Sequence, residues 1–364
     1  MNKTNIAVIG AGGAGNKMLD VLLSINGVYT PIYANTSFSE MEKMEHIIPE
    51  RNMLYITNAE GTGRDSELAT EVIKQAQPKI VDFLVNKFNP SSGINVFYIL
   101  CSADGGTGSA MCGLLPKLIK RGINPEAIIN LVVAMPNLNE KEFSFRNTQR
   151  LLNTIDELYD DDLINSVIYI DNNKMKNEKE FNYQNMSDLN DSLSINNDEI
   201  DLIDSKRVNC TKGYKVILRL NPKFKDMKTA IDKAIENTNF LLPNNFDCEH
   251  LMATFDEEAY DKEEARNMFE VFGVDKYDYN EDENNMFVLG GCEFPNDYRE
   301  LINVALQDLL RKKEKREERI IKEKESIKFE NPIEKQKEVK KEPKKRNKLT
   351  KKDIAKLMND DDLW

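Results

Sequence analysis

Two stretches of this 364-residue chain have the composition of a phosphate cradle. Asp104-Gly105-Gly106-Thr107-Gly108-Ser109-Ala110 combines glycines, which let backbone N–H groups close on an anion and tolerate positive φ, with the hydroxyls of Thr107 and Ser109 as further donors. Gly10-Ala11-Gly12-Gly13-Ala14-Gly15-Asn16 repeats the pattern, and Glu60-Gly61-Thr62-Gly63-Arg64 is a shorter loop of the same character. Such loops hold phosphate oxygens with backbone dipoles, most strongly where a helix starts directly after the loop. The residue inventory argues against two other chemistries. There are two histidines, His46 and His250, too few for histidine-based catalysis. The five cysteines, at 101, 112, 210, 248 and 292, form no C-x-x-C pair, so neither a zinc site nor a disulfide frame is expected.

The loops need elements to hold them. Asn5-Ile6-Ala7-Val8-Ile9 reads as a strand, followed by a helix with Met18, Leu19, Leu22 and Leu23 on one face. The apolar run at 94–101 reads as an interior strand of a parallel sheet, and residues 109–120 as an amphipathic helix with Ser109 as its N-cap. A short strand at 54–56 precedes a helix at 65–77, and further strands lie at 128–135 and 166–170. Strands alternating with helices predict an α/β fold with a Rossmann-like parallel sheet. A second α/β unit opens at 215–220, with a helix at 225–238, a strand-like run at 269–274 and a strand at 285–291. A long helix, nearly all charged in its second half, is expected over 297–328.

Gly10 to Gly15 also fits the G-x-G-x-x-G fingerprint of a Rossmann NAD(P)-dependent enzyme. That fingerprint wants an acidic residue about 20 positions on. Tyr33-Ala34-Asn35-Thr36-Ser37 stands there, and the first carboxylate comes only at Glu40. The order of the residues points elsewhere. GGTGSA resembles the signature loop of the tubulin/FtsZ family of GTPases, with Asp104 where the family has the first of three glycines. IGAGGAGN and ANTS resemble the first and second nucleotide loops of FtsZ and its plasmid- and phage-encoded relatives, and residues 60–64 resemble the third.

The resemblance implies GTP or GDP, with Mg2+, as ligand. It places Gly12, Gly13 and Asn16 at the phosphates, with Gly61, Thr62, Gly63, Gly105, Gly106, Thr107, Gly108 and Ser109. Pro136 followed by Glu140 matches the loop facing the ribose, although the basic residue expected at 144 is a serine and Arg146 stands nearby. Asn172 and Asn190 take the places of the guanine clamp, with Met186 where the family stacks an aromatic on the base. A carboxamide suits guanine, because it can accept from N1–H and N2–H while donating to a ring nitrogen or O6. The family's acidic loop, which enters the next subunit's site and orients the attacking water, falls at Asn196 to Glu199, making Asp198 and Glu199 the catalytic candidates.

The formal net charge of −12 hides an asymmetry. Residues 311–352 hold 19 Lys and Arg against 9 Glu, and the first 310 residues carry a net of −19. An acidic body with a basic extension predicts separate tasks, the extension meeting an anionic partner. The expected organisation is a GTP-binding domain at 1–178, a central helix and catalytic loop at 179–205, an activation domain at 206–296, a long C-terminal helix at 297–328, and a disordered basic tail at 329–364 ending in a docking peptide at Leu363-Trp364. No apolar run reaches the roughly 18 residues of a membrane span, so a cytoplasmic protein with no membrane partner is expected. The resemblance extends over about 1–325 and is nearest to the TubZ branch. It implies a filament grown head-to-tail from copies of the chain, moving plasmid or phage DNA through a DNA-bound adaptor held by the tail. Alternatives with the same chemistry are a phage DNA-centring filament and a division filament; a GTP-binding structural protein that does not hydrolyse is a third.

Overall fold

A computed structural model describes residues 5–56, 61–88, 92–193, 208, 210–274, 276–281 and 283–326. The chain forms two compact units, Met1–Lys313 and Glu314–Trp364. The first opens with β1 (Ile6–Ala11), α1 (Gly12–Ile25), β2 (Thr30–Asn35), the short helices α2 (Phe38–Met41) and α3 (Pro49–Asn52), and β3 (Met53–Tyr55). There follow α4 (Ser66–Gln75), α5 (Gln77–Lys87), β4 (Val96–Ser102), α6 (Thr107–Gly122), β5 (Ile128–Met135), α7 (Glu142–Asp160), β6 (Ser166–Asp171) and α8 (Glu178–Ser192). The remainder is β7 (Gly213–Arg219), α9 (Met227–Asn237), β8 (His250–Phe255), α10 (Lys262–Val271), β9 (Lys276–Glu281), β10 (Met286–Cys292) and α11 (Asn296–Ser326), the last running on into the second unit.

The ten strands among the described residues belong to one sheet, in the order β3-β2-β1-β4-β5-β6-β7-β10-β8-β9. From β3 to β7 every pairing is parallel, and β10 then pairs antiparallel with both β7 and β8. Because successive side chains point to opposite faces, β1 feeds two cores. Ala7 and Ile9 pack on one side with Met111 and Leu115 of α6, while Ile6 and Val8 pack on the other with Met18, Leu19 and Leu22 of α1. Covering on both faces explains why β4 and β5 read as unbroken apolar runs. The sheet continues without a break through the stretches that the sequence separates into nucleotide-binding and activation parts.

The structure departs from the sequence reading at several elements. The expected strand at 269–274 is the end of helix α10 and the turn after it. Asp261 caps this helix, its Oδ1 accepting from the backbone N–H of Glu263 and Glu264, and Ala265 and Phe269 recur at helical spacing into the core. The single helix expected at 65–77 stops at Gln75, and Pro78, tolerated only in a first turn, starts α5. Ser109 is not the N-cap of α6: Gly106 is, and the Ser109 hydroxyl donates back to the Gly106 carbonyl at 3.0 Å. No helix among the described residues is long and apolar enough to cross a membrane.

Candidate functional site

The carboxyl ends of the parallel strands carry the glycine loops, and open parallel sheets take ligands in the crevice at those ends. The crevice is a cleft of about 740 Å3, within the roughly 300–1,000 Å3 common for small-ligand sites. Its floor is Gly12 and Gly13 after β1, Asn35 and Thr36 after β2, and residues 104–108 after β4. Residues 61–64 close one side, and Glu140, Asn172, Met175 and two residues of α8, Glu178 and Asn182, close the other.

The loops meet backbone to backbone. Gly12 has φ +71°, and a Cβ there would stand 2.8 Å from the Gly108 nitrogen. A Cβ on Gly106 would stand 2.5 Å from the Thr62 hydroxyl and 3.0 Å from the Asp65 carbonyl. With side chains excluded, the loops present main-chain N–H groups. Helices α1 and α6 begin here without a side-chain cap and without an acidic residue in the first turn. Their first N–H groups are therefore left for an anion, whereas α4 close by is capped by Asp65. The Thr107 hydroxyl is turned inward, 2.7 Å from that of Thr36.

Charge alone does not explain anion binding. The lining holds Lys17, Lys43 and Arg64 against Glu40, Asp104, Glu140 and Glu178. Lys17 pairs with Glu178 at 2.7 Å, and Asn35 donates to Glu40 at 2.9 Å. Arg64 Nη1 lies 3.8 Å from Asp104 and 3.9 Å from Glu140. A polyphosphate would thus depend on backbone donors and on a cation that it brings. No group of three or more possible metal ligands occurs among the described residues. Two buried carboxamides, Asn16 and Asn185, have neither their nitrogen nor their oxygen hydrogen-bonded among the described residues. Such groups cost about 1–3 kcal/mol each when left unsatisfied.

Residues 5–179 match the family described as "Tubulin/FtsZ family, GTPase domain". These residues are a tubulin/FtsZ-family GTPase domain. A tubulin-like protein CetZ of Pyrococcus horikoshii is 30% identical over 48% of this chain and 46% of its own length. A tubulin-like protein TubZ of Clostridium botulinum C phage is 27% identical over 69% of this chain and 68% of its own. The chain thus spans about half of the archaeal relative and two thirds of the phage one. In fold, it superposes on tail-truncated TubZ of Clostridium botulinum phage c-st with a TM-score of 0.75, at 21% identity, over 85% of this chain and 99% of that one. A GTPγS-form protofilament of Bacillus thuringiensis serovar israelensis TubZ gives a TM-score of 0.73, at 20% identity, over 87% and 94%.

Within the GTPase domain, the cleft gathers Gly12, Gly13, Gly61, Thr62, Gly63, Gly105, Gly106, Thr107, Gly108, Glu140 and Asn172. Asn16, Ser109, Met186 and Asn190 do not line it, nor does the buried Asn185. Met186 is fully buried in the core, and the exposed thioether on the cleft wall is Met175. Asn190 is committed: its oxygen accepts from the Tyr29 hydroxyl at 2.9 Å and its nitrogen donates to Asp191 at 3.0 Å. Just beyond, Arg219 reaches Asp188 and Asp191, each at 2.5 Å. Burial pushes the Asp188 carboxyl up, against the pull of Arg219. Asp198 and Glu199 lie outside the described residues, as do Asn196 and the tail.

Sequence reasoning passes over Asn185 and Arg64. A signal for Asn185 is present: Phe181 stands four residues earlier on α8, the aromatic spacing that the resemblance calls for and that Met186 and Asn190 do not supply. Of the two residues considered for the missing base, Ser144 is buried 3.5 Å from Asp104, and Arg146 is bonded to Glu142 at 2.9 Å. Arg64 is the cation that reaches this corner.

Proposed function

We propose that the chain binds GTP and GDP in this cleft, hydrolyses GTP and assembles head-to-tail into filaments. The observation that carries the reading is the meeting of two uncapped helix N-termini at Gly12 and Gly108, backbone against backbone, with the unsatisfied Asn16 on the first turns of α1. Phosphates take the N–H groups of residues 12–13 and 105–108, with Asn16 alongside. Glu140 faces the ribose, and the base meets Asn172 and Asn185. Asn190 supports this end from beneath through its bond to Tyr29. Mg2+ fits a cleft whose carboxylates outnumber its cations; when bound on the phosphates it would offset their charge.

Hydrolysis is completed between subunits in this reading. Asp198 or Glu199 of one copy orients or deprotonates water at the phosphates of the next, a role worth on the order of 10²–10⁴ in rate. The filament is cytoplasmic and moves plasmid or phage DNA, the basic 311–352 segment and the terminal Leu363-Trp364 reaching a DNA-bound adaptor. In support stand the charge asymmetry, the phage origin of one relative and the protofilament of another. Weak contacts repeated once per subunit gain by avidity and weaken steeply with salt.

The test is GTP turnover against protein concentration. A rate per subunit that climbs with concentration, and that collapses when Asp198 and Glu199 are both replaced by Ala while GTP still binds, is the expected result. A rate per subunit independent of concentration would contradict catalysis between subunits. Truncation after Lys328 is expected to spare turnover and abolish recruitment to an adaptor–DNA complex; unchanged recruitment would remove the docking role of the tail.

A further inference from the structure

We propose that Tyr298, on the first turn of the C-terminal helix α11, is a positioning residue for the nucleoside end of the cleft, its hydroxyl fastening the loops that carry Glu140 and Asn172. The inference rests on the nucleotide reading above and deepens it. It makes the site depend on a residue outside 5–179, the stretch that matches the GTPase domain.

Glu140 and Asn172 line the cleft from two loops, one after β5 and one after β6. The first is a turn closed on itself: the Asn137 side chain accepts from the Asn139 N–H at 2.9 Å, and the Asn137 carbonyl from the Glu140 N–H at 3.0 Å. The two loops are also stitched to each other. Asn173 Oδ1 accepts from the Leu138 N–H at 2.8 Å, and Asn137 Nδ2 donates to the Asn172 carbonyl at 3.5 Å. Asp171 holds the Asn173 side chain in turn, accepting from its Nδ2 at 2.7 Å. Tyr298 closes the knot from α11. Its hydroxyl donates to the Pro136 carbonyl at 2.8 Å, across 162 positions of the chain, and accepts from Asn173 Nδ2 at 3.5 Å. One hydroxyl thus touches both loops.

Packing sets where that hydroxyl stands. Tyr298 is buried, and Ile302, one turn on, is fully buried in the same core. Arg299 forks onto Asp156 of α7 at 2.5 and 2.6 Å, Asn303 accepts from Gln149 at 2.5 Å, and Lys313 reaches Glu142 at 3.4 Å. These pairs run in opposite directions along the two helices, so α11 lies antiparallel on α7, which begins at Glu142, just after the Glu140 turn. A buried tyrosine needs a partner for its hydroxyl, and the Pro136 carbonyl is the acceptor. Burial, with the Asp171 carboxylate near, pushes this hydroxyl up from its ordinary value, so it keeps its proton and remains a donor. The phosphate cradle is built at the ends of other strands, β1 and β4. The knot therefore bears on ribose and base and leaves the grip on the polyphosphate alone.

The experiment uses Tyr298→Phe in the full chain, which keeps the buried ring and deletes only the hydroxyl. Amide hydrogen exchange without nucleotide is expected to quicken at residues 137–140 and 172–175. Titrations with Mg2+ are expected to show GTP and GDP each weakened about fivefold, within the range for loss of one neutral hydrogen bond, and inorganic triphosphate within about twofold of wild type. Gln149→Ala also removes a bond between α7 and α11 but touches neither loop, and it should leave all three ligands unchanged. Unchanged exchange or unchanged GTP affinity in Tyr298→Phe overturns the inference. So does an equal loss for GTP and inorganic triphosphate, the mark of a general loosening, or the same loss of GTP in Gln149→Ala. Each of these results leaves the nucleotide site standing. Failure of the wild-type chain to bind either nucleotide overturns both.

Discussion

The two ends of the cleft are built by different means. At the phosphate end, Gly12, Gly106 and Gly108 bring three loops so close that no side chain fits, and the ligand is left to meet main-chain N–H groups. At the end that the proposed reading gives to the base, the walls are side chains on α8, and which of them would face a ligand depends on how one helix lies against α1 and the sheet. Glu178 and Asn182 reach the cleft, Asn185 lies buried with its carboxamide unpaired, and Asn190 is tied to Tyr29. A backbone cradle is written in local composition. A helix face is settled by packing.

The contrast can be broken or sharpened by substitution. The largest effect is expected at Gly12→Val, where positive φ and 2.8 Å of space to the Gly108 nitrogen both oppose a side chain. Overpacking against backbone costs about 1–3 kcal/mol or more, so nucleotide affinity measured by titration should fall by at least tenfold, for GTP and GDP alike. The next effect separates the asparagines. Asn185→Leu should lower GTP affinity by about 1–3 kcal/mol, because guanine's polar edge is left unpaired, and should spare binding of inorganic triphosphate. Asn190→Leu should instead lower thermal stability by removing the acceptor that Asn190 offers the Tyr29 hydroxyl, with little change in GTP affinity. The reverse pattern would return the reading of the base to Asn190.

The smallest expected effect lies beneath the phosphate end, at Asp20 on α1. Burial works to raise this carboxyl, but hydrogen bonds from the Glu45 N–H, the Tyr33 hydroxyl and the His46 N–H and ring outweigh it, holding it below its ordinary 3.8. A lowered carboxylate contributes stability that is present above the ordinary value and is lost as pH falls through the folded one. Asp20→Asn should therefore cost about 1–2 kcal/mol near pH 7 in chemical denaturation. The gap between variant and wild type should close as pH falls below about 4.

These differences also explain what could be read from the chain alone. Strands β1, β4 and β5 are legible because both faces of the parallel sheet are covered, which leaves apolar runs. Helix α7 goes unassigned, since Phe145, Leu151, Leu152 and Ile155 are diluted by charged neighbours that face outward. The run at 269–274 is apolar enough for a strand, and only the Asp261 cap and the inward spacing of Ala265 and Phe269 make it the end of a helix. In the site, glycines and hydroxyls mark the phosphate loops. Arg64 belongs to a loop marked by glycines, but its approach to Asp104 and Glu140, 40 and 76 residues away in the chain, comes only with the fold.

The chemistry of the ligand separates a guanine-nucleotide cleft from its rivals. Titration of GTP, ATP and NADH into the wild-type chain, with Mg2+ present, tests it in one experiment. If Asn172 and Asn185 read guanine, GTP should bind at least about tenfold more tightly than ATP, the margin expected of one correctly paired buried polar group, and NADH should not compete. Equal affinity for GTP and ATP, or preference for NADH, would contradict the assignment of this cleft to a guanine nucleotide.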